Sequence, residues 1–231
     1  MIDQLISTFC RIDDFCIIHE KQLQSKAISY KKPKRGPKQS LSLSEIMTVL
    51  IMYQILQYRN FKGFYNDFLC EYWREFFPNL PSYTRFVELI PQGLVGLSNF
   101  VASNQGKHTN IYYVDDRNPL ISMCQGFEGY IFGDRGYISK DKEATLAKQG
   151  LKLITTLKKN MKKVFRNKTE KSLLRYRGMI ETMIDYLKNS LMLWHTRHRS
   201  PMNAFTHLMA CMAAWIIAPT EIIGQRRISM D

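Results

Sequence analysis

Paired cysteine is what this chain most plainly lacks. Its 231 residues include five cysteines, Cys10, Cys16, Cys70, Cys124 and Cys211, scattered and with no Cys-x-x-Cys. An odd, dispersed set argues against a disulfide framework and fits reduced thiols in a cytoplasmic protein. The five histidines do not pair with the cysteines at ligand spacing, so no zinc site is expected. Long apolar runs are missing too. The longest, Leu208 to Ala218, is too short to span a bilayer and predicts a core helix, so no membrane partner is expected. The first residues include acids and show no basic-then-apolar signal. There is no long repeat and no low-complexity tract.

Acidic residues are the other shortage. Twenty Asp and Glu stand against 33 Lys and Arg, a net charge of +13. That balance suits a protein that meets a polyanion. The excess is uneven: residues 152–199 hold thirteen Lys and Arg against three Asp and Glu. A solvated basic surface explains such a run on its own, but its position around Glu181 favours a phosphate-binding surface. With 45% hydrophobic residues, a chain of this length folds and holds one or two domains.

The N-terminal part reads as helical. Ile2, Leu5, Ile6, Phe9, Ile12 and Phe15 approximate one face of a helix over 2–28. Lys31 to Lys38 is a basic, proline-broken linker carrying Lys34 and Arg35, either an arm along a DNA groove or a solvated loop. Ser42-Leu-Ser-Glu45 is a capping box opening an apolar helix to about Tyr58. Phe61 to Phe77 predicts a second helix, its aromatics better explained by core packing than by base stacking. Ser82 caps a third helix with Tyr83, Thr84, Arg85 and Glu88. The layout is that of an ordinary helical hairpin or of a helix-turn-helix, in which Ser82, Tyr83 and Arg85 would meet base edges.

Further on, two short apolar runs stop at an acid. Asn110-Ile-Tyr-Tyr-Val-Asp115 is one; Gly129-Tyr-Ile-Phe-Gly-Asp134, followed by a glycine turn, is the other. A third acid lies on a basic helix. At 100° per residue Arg177, Glu181, Asp185 and Lys188 point within about 80° of each other. Beside them runs the apolar stripe Leu173, Ile180, Ile184, Leu187, Leu191, which places Glu181 at the edge of a buried face. Each acid alone has a plainer explanation, a turn or cap for Asp115 and Asp134, an i,i+4 partner for Glu181. Together they are hard oxygen donors that suit Mg²⁺ or Mn²⁺.

Arg177-x3-Glu181-x6-Lys188 resembles the C-terminal motif of the DDE transposases of bacterial insertion sequences. Val114-Asp115 resembles the first acid of that family, and Phe132-Gly-Asp134-Arg-Gly-Tyr137 the second. The basic run His195-Thr-Arg197-His-Arg199-Ser-Pro201 is similar to the family's as well. Leu174 departs from it, standing where many members have a tyrosine.

The resemblance implies an α/β protein, an N-terminal all-α module followed by a truncated ribonuclease-H-like domain. The expected boundaries are 1–106 for the DNA-binding module, 107–218 for the catalytic domain and 219–231 for a tail. It implies Asp115, Asp134 and Glu181 as catalytic and metal-binding residues for two Mg²⁺ or Mn²⁺. Arg177, Lys188, Arg197, Arg199, Lys34, Arg35 and Arg85 are the implied DNA and phosphate contacts. His195 and His198 are expected to contact phosphate or position the cleft, or else to serve packing or lie on the surface, and Gly133 and Gly136 to serve the backbone around Asp134. The implied partners are terminal inverted repeats and target DNA, bound by a homodimer in a bacterial, nucleoid-associated setting.

Only 18 residues separate Asp115 from Asp134. The family places many tens there, with two further strands of the sheet. Asp116 to Glu128 is too short for two strands and their turns, which predicts an internal deletion. Strands one and four are neighbours in the family's sheet, so the two acids could still meet. An exposed strand edge is the expected consequence, with impaired or lost catalysis. The alternative is a catalytically dead remnant that binds element ends or represses its full-length parent.

Overall fold

The computed structural model describes residues 1–26, 40–107, 109–114, 120–156, 167–176, 178–193 and 198–217. In chain order the elements are α1 (Ile2–Lys26), α2 (Leu43–Ile55), α3 (Phe61–Gly63), α4 (Cys70–Tyr72), α5 (Tyr83–Leu89), α6 (Gly93–Ser103), β1 (Ile111–Tyr113), α7 (Leu120–Met123), β2 (Gly129–Gly133), α8 (Lys140–Lys148), β3 (Leu151–Thr155), α9 (Lys168–Tyr176), α10 (Gly178–Asp185) and α11 (Pro201–Ile217). They divide into two compact units, one from 1–105 with 186–231, the other from 106–185. The fold is α/β, a helical module and a small parallel sheet.

The helical unit is built around α2. The Ser42 backbone N–H donates to Glu45 Oε2 at 2.6 Å, and the Glu45 N–H donates to Ser42 Oγ at 3.1 Å, a reciprocal cap that starts the helix. Eleven of its thirteen residues are buried, Ser44 and Ile46 to Ile55. It ends at Ile55 rather than near Tyr58, because Gln57 takes a left-handed φ of 55°. Helix α11 packs on α2 and α6, so its Ala210, Cys211, Ala213 and Ala214 complete this core. The sequence grouped this core helix with 107–218, yet its small-residue face fits the helical unit.

The aromatic stretch departs from one regular helix. Residues Phe64–Leu69 are π-helical, with the Cys70 N–H donating to the Tyr65 carbonyl, and Arg74–Phe76 form a 3₁₀ turn. The wider winding turns Phe64, Tyr65, Phe68 and Leu69 all inward. Phe64 lies 5.5 Å from Tyr53 and Phe68 4.8 Å from Trp73, ring centre to ring centre. These rings are core, as their spacing suggested.

The second unit is a three-stranded parallel sheet in the order β1-β2-β3. Ile111, Tyr112 and Tyr113 pair with Tyr130, Ile131 and Phe132; Gly129 to Gly133 pair with Leu151 to Thr155. One face packs Ile131 and Leu151 with Leu120 and Cys124 of the α7 turn, Leu146 of α8, and Tyr137, with Tyr112, Val114, Phe127 and Leu153 alongside. The other carries Tyr113, Phe132 and Ile154 and receives α9. Gly129 has a φ of 117°, and a Cβ there would collide with the Asn110 carbonyl. Only glycine fits this entry to β2.

Candidate active site at the carboxyl end of the sheet

Three parallel strands point their carboxyl ends the same way, the edge where open α/β sheets bind ligands. Val114 extends the β1 ladder, its N–H donating to the Phe132 carbonyl at 3.0 Å. Beyond Gly133 comes Asp134, half-buried, whose carbonyl accepts from the Tyr137 N–H at 3.0 Å. That bond closes the 3₁₀ turn Arg135–Tyr137 and lays the buried Tyr137 ring against Gly133. A Cβ on Gly133 would sit 2.9 Å from the ring, so close approach, not unusual φ, accounts for this glycine.

Tyr113 holds β1 against the second face. Its hydroxyl donates to the Leu173 carbonyl of α9 at 3.0 Å. Burial, with Tyr176 nearby, pushes its pKa up, so the phenol stays a donor. Across the sheet, Lys152 Nζ pairs with Glu170 Oε1 at 2.6 Å, and Glu170 and Asn167 cap α9 reciprocally. The Lys152 pKa is raised, chiefly by that hydrogen bond.

Glu181 lies on α10 and is exposed, where the 100° stripe predicts the edge of a buried face. The stripe assumed one continuous helix. The described residues form α9, α10 beginning at Gly178, and a π-helical turn at Tyr186–Ser190, where a 100° count no longer applies to Lys188. Asp115, Arg177, His195, Arg197, Lys34, Arg35 and the tail 219–231 lie outside the described residues. Among the described residues no three His, Cys, Asp or Glu are grouped to hold a metal ion.

In the helical unit, Lys188 is half-buried and Arg199 exposed. Arg85 pairs with Glu88 at 2.6 Å. Ser82 Oγ accepts from the Arg85 N–H at 3.4 Å, and the Tyr83 ring lies 5.8 Å from Tyr65. Capping and packing thus occupy Ser82 and Tyr83. His198 is half-buried, 5.1 Å from the His207 ring, and burial lowers its pKa. His207 Nδ1 meets Gln54 Nε2 at 3.0 Å and its Nε2 meets the Met192 carbonyl at 3.3 Å. These contacts suit a neutral ring that accepts at Nδ1 and donates at Nε2.

Strand β3 and Thr156 were not read from the sequence, where this stretch stood out only for its charge. The signal was present in Gly150-Leu-Lys-Leu-Ile-Thr-Thr156, a glycine followed by an alternating, partly β-branched run. Thr156, directly after β3, has a buried Oγ1 with no hydrogen-bond partner among the described residues.

A parallel sheet with an acid directly after its central strand is the α/β core of this unit. Residues 105–201, somewhat under half of the chain, match the family model described as transposase DDE domain, so this segment is similar to that family. That likeness supports a transposase function with DNA as substrate, and DDE transposase domains generally use divalent metal ions. No curated protein and no solved structure matches the chain. Among the described residues, no helix is long and apolar enough to cross a membrane.

Proposed function

We propose that the chain is an insertion-sequence transposase whose cleavage and strand-transfer activity is impaired by shortening between its first two acids. One observation carries the assignment of the site. Tyr113 and Phe132 are register partners, and each is followed two residues later by an acid, Asp115 and Asp134. Equal offsets from a parallel pair favour two carboxylates at one edge.

The donors fit divalent cations of the Mg²⁺ or Mn²⁺ class. Asp134 and Glu181 offer hard oxygens within one unit, and Asp115 supplies a third in sequence. Two such ions would acidify a water and neutralise charge at a phosphodiester. Asp134, held by the turn that Tyr137 closes, orients its carboxylate at the sheet edge. Arg199 and Lys188, with Arg177 and Arg197, neutralise DNA phosphates. In the full reaction, hydrolysis frees a 3′-hydroxyl at the element end, and that hydroxyl attacks target DNA. Two ends imply a homodimer on DNA, in a bacterial cytoplasm.

Impairment is supported by the short connection. Among the described residues, the 15 positions between β1 and β2 hold the ladder bond of Val114 and the turn of α7 but no further strand, and three strands form the sheet. Glu181 is exposed, which favours the second reading, a DNA-binding remnant without chemistry. The test is cleavage of labelled DNA bearing the element's terminal repeats, with Mg²⁺ or Mn²⁺, beside Glu181→Ala. Weak nicking lost in the mutant supports the impaired enzyme. Salt-dependent binding without nicking, unchanged by Glu181→Ala, supports the remnant. Vigorous nicking by the wild-type chain overturns impairment.

A further inference from the structure

We propose that Thr156 is a positioning residue of this site, its hydroxyl donating to the Asp134 carboxylate in the metal-ligating arrangement. The inference rests on the metal-site reading above. Gly133 and Thr155 are the last register pair between β2 and β3, and Asp134 and Thr156 are the next residues on each strand. Adjacent strands run about 4.8 Å apart, so these two residues leave the sheet as neighbours. Thr156 Oγ1 is buried and has no hydrogen-bond partner among the described residues. Strand alternation gives position 156 the parity of Lys152 and Ile154, and position 134 that of Tyr130 and Phe132. Both therefore continue the face that carries Tyr113 and α9, the helix preceding the Glu181 helix.

A buried hydroxyl without a partner is disfavoured unless some state of the protein uses it. Here the neighbour that can use it is a carboxylate. One Asp134 oxygen accepts from Thr156 Oγ1, which leaves the other oriented toward a cation. Outer contacts of this kind fix ligand geometry, and their loss typically weakens metal affinity by about 10–100-fold.

The experiment titrates Mn²⁺ into the full chain, following free Mn²⁺ by electron paramagnetic resonance, and records thermal unfolding of the metal-free protein. Wild type, Asp134→Asn, Thr156→Val and Thr156→Ser are compared. The expected result is Mn²⁺ affinity reduced about 10–100-fold by Thr156→Val and kept by Thr156→Ser. The metal-free Val variant unfolds no earlier than wild type, because the hydroxyl it removes is unpaired. A purely structural hydroxyl would instead lower the unfolding temperature and leave affinity unchanged, which overturns the proposal. Equal Mn²⁺ affinity in wild type and Thr156→Val overturns it too, with the metal site intact if Asp134→Asn still weakens binding. A wild type that binds no Mn²⁺, or an Asp134→Asn that binds as well, refutes the metal-site reading itself.

Discussion

The rings of Tyr113 and Phe132 lie 5.3 Å apart on paired parallel strands, and that contact joins the two strands that run into the acids. Phe132 is fully buried, so Phe132→Ala leaves a cavity at the centre of the sheet. A loss of about 3–5 kcal/mol is expected, measured by urea unfolding. Tyr113→Phe keeps the ring and removes only the bond to the Leu173 carbonyl; about 1 kcal/mol is expected. Equal losses in the two variants would show that the hydrogen bond, not the ring contact, dominates.

Gly129→Ala combines a disfavoured φ with a collision against the Asn110 carbonyl. It should destabilise the sheet unit by about 1–3 kcal/mol or more. Gly106→Ala, with open space at the Cβ position, serves as the control and should change little.

Burial foremost, with His198 nearby, depresses the His207 pKa to about 4, against an unfolded value of 6.5. The unfolded chain therefore binds the extra proton first. Stability from neutral His207 is complete above pH 6.5 and falls as pH drops toward 4, by on the order of 3 kcal/mol. Urea midpoints from pH 7 to 4 should decline more steeply in wild type than in His207→Gln. Parallel declines would remove His207 as the cause.

Asn167 and Glu170 cap α9, and α9 packs on β3. Asn167→Ala should cost about 1 kcal/mol by denaturant titration. Lys152→Ala should cost less, since that lysine is largely exposed and such pairs contribute about 0–1 kcal/mol.

Arg199 is exposed on the basic run and belongs to the proposed phosphate contacts. Arg199→Ala should weaken binding to all DNA sequences alike and reduce the salt slope of the association constant by about one. A selective loss for terminal repeats, with the slope unchanged, would point to base recognition instead.

Local signals were legible residue by residue. The Ser42–Glu45 box, the Ser82 cap, the buried aromatics and the two strands ahead of the acids all rest on neighbours a few positions apart. Where the sequence misled, a regular period was assumed to continue. The π-helical turns at Phe64–Leu69 and Tyr186–Ser190 break that period, because packing large aromatic and apolar side chains outweighs regular winding.

By itself the sequence determined the order of the parts: a helical module, a strand before each of two acids, an acid on a basic helix, and a family resemblance carried by those residues. The tertiary structure alone decided which strand lies beside which, how far the register runs, that α11 completes the helical core, and that Glu181 faces solvent. It also decided that β3 delivers Thr156 beside the acid-bearing strand. The physical reason is range. Caps, turns and strand runs are settled by adjacent residues, whereas parallel pairing through crossovers and the choice of buried face depend on contacts between residues far apart in the chain.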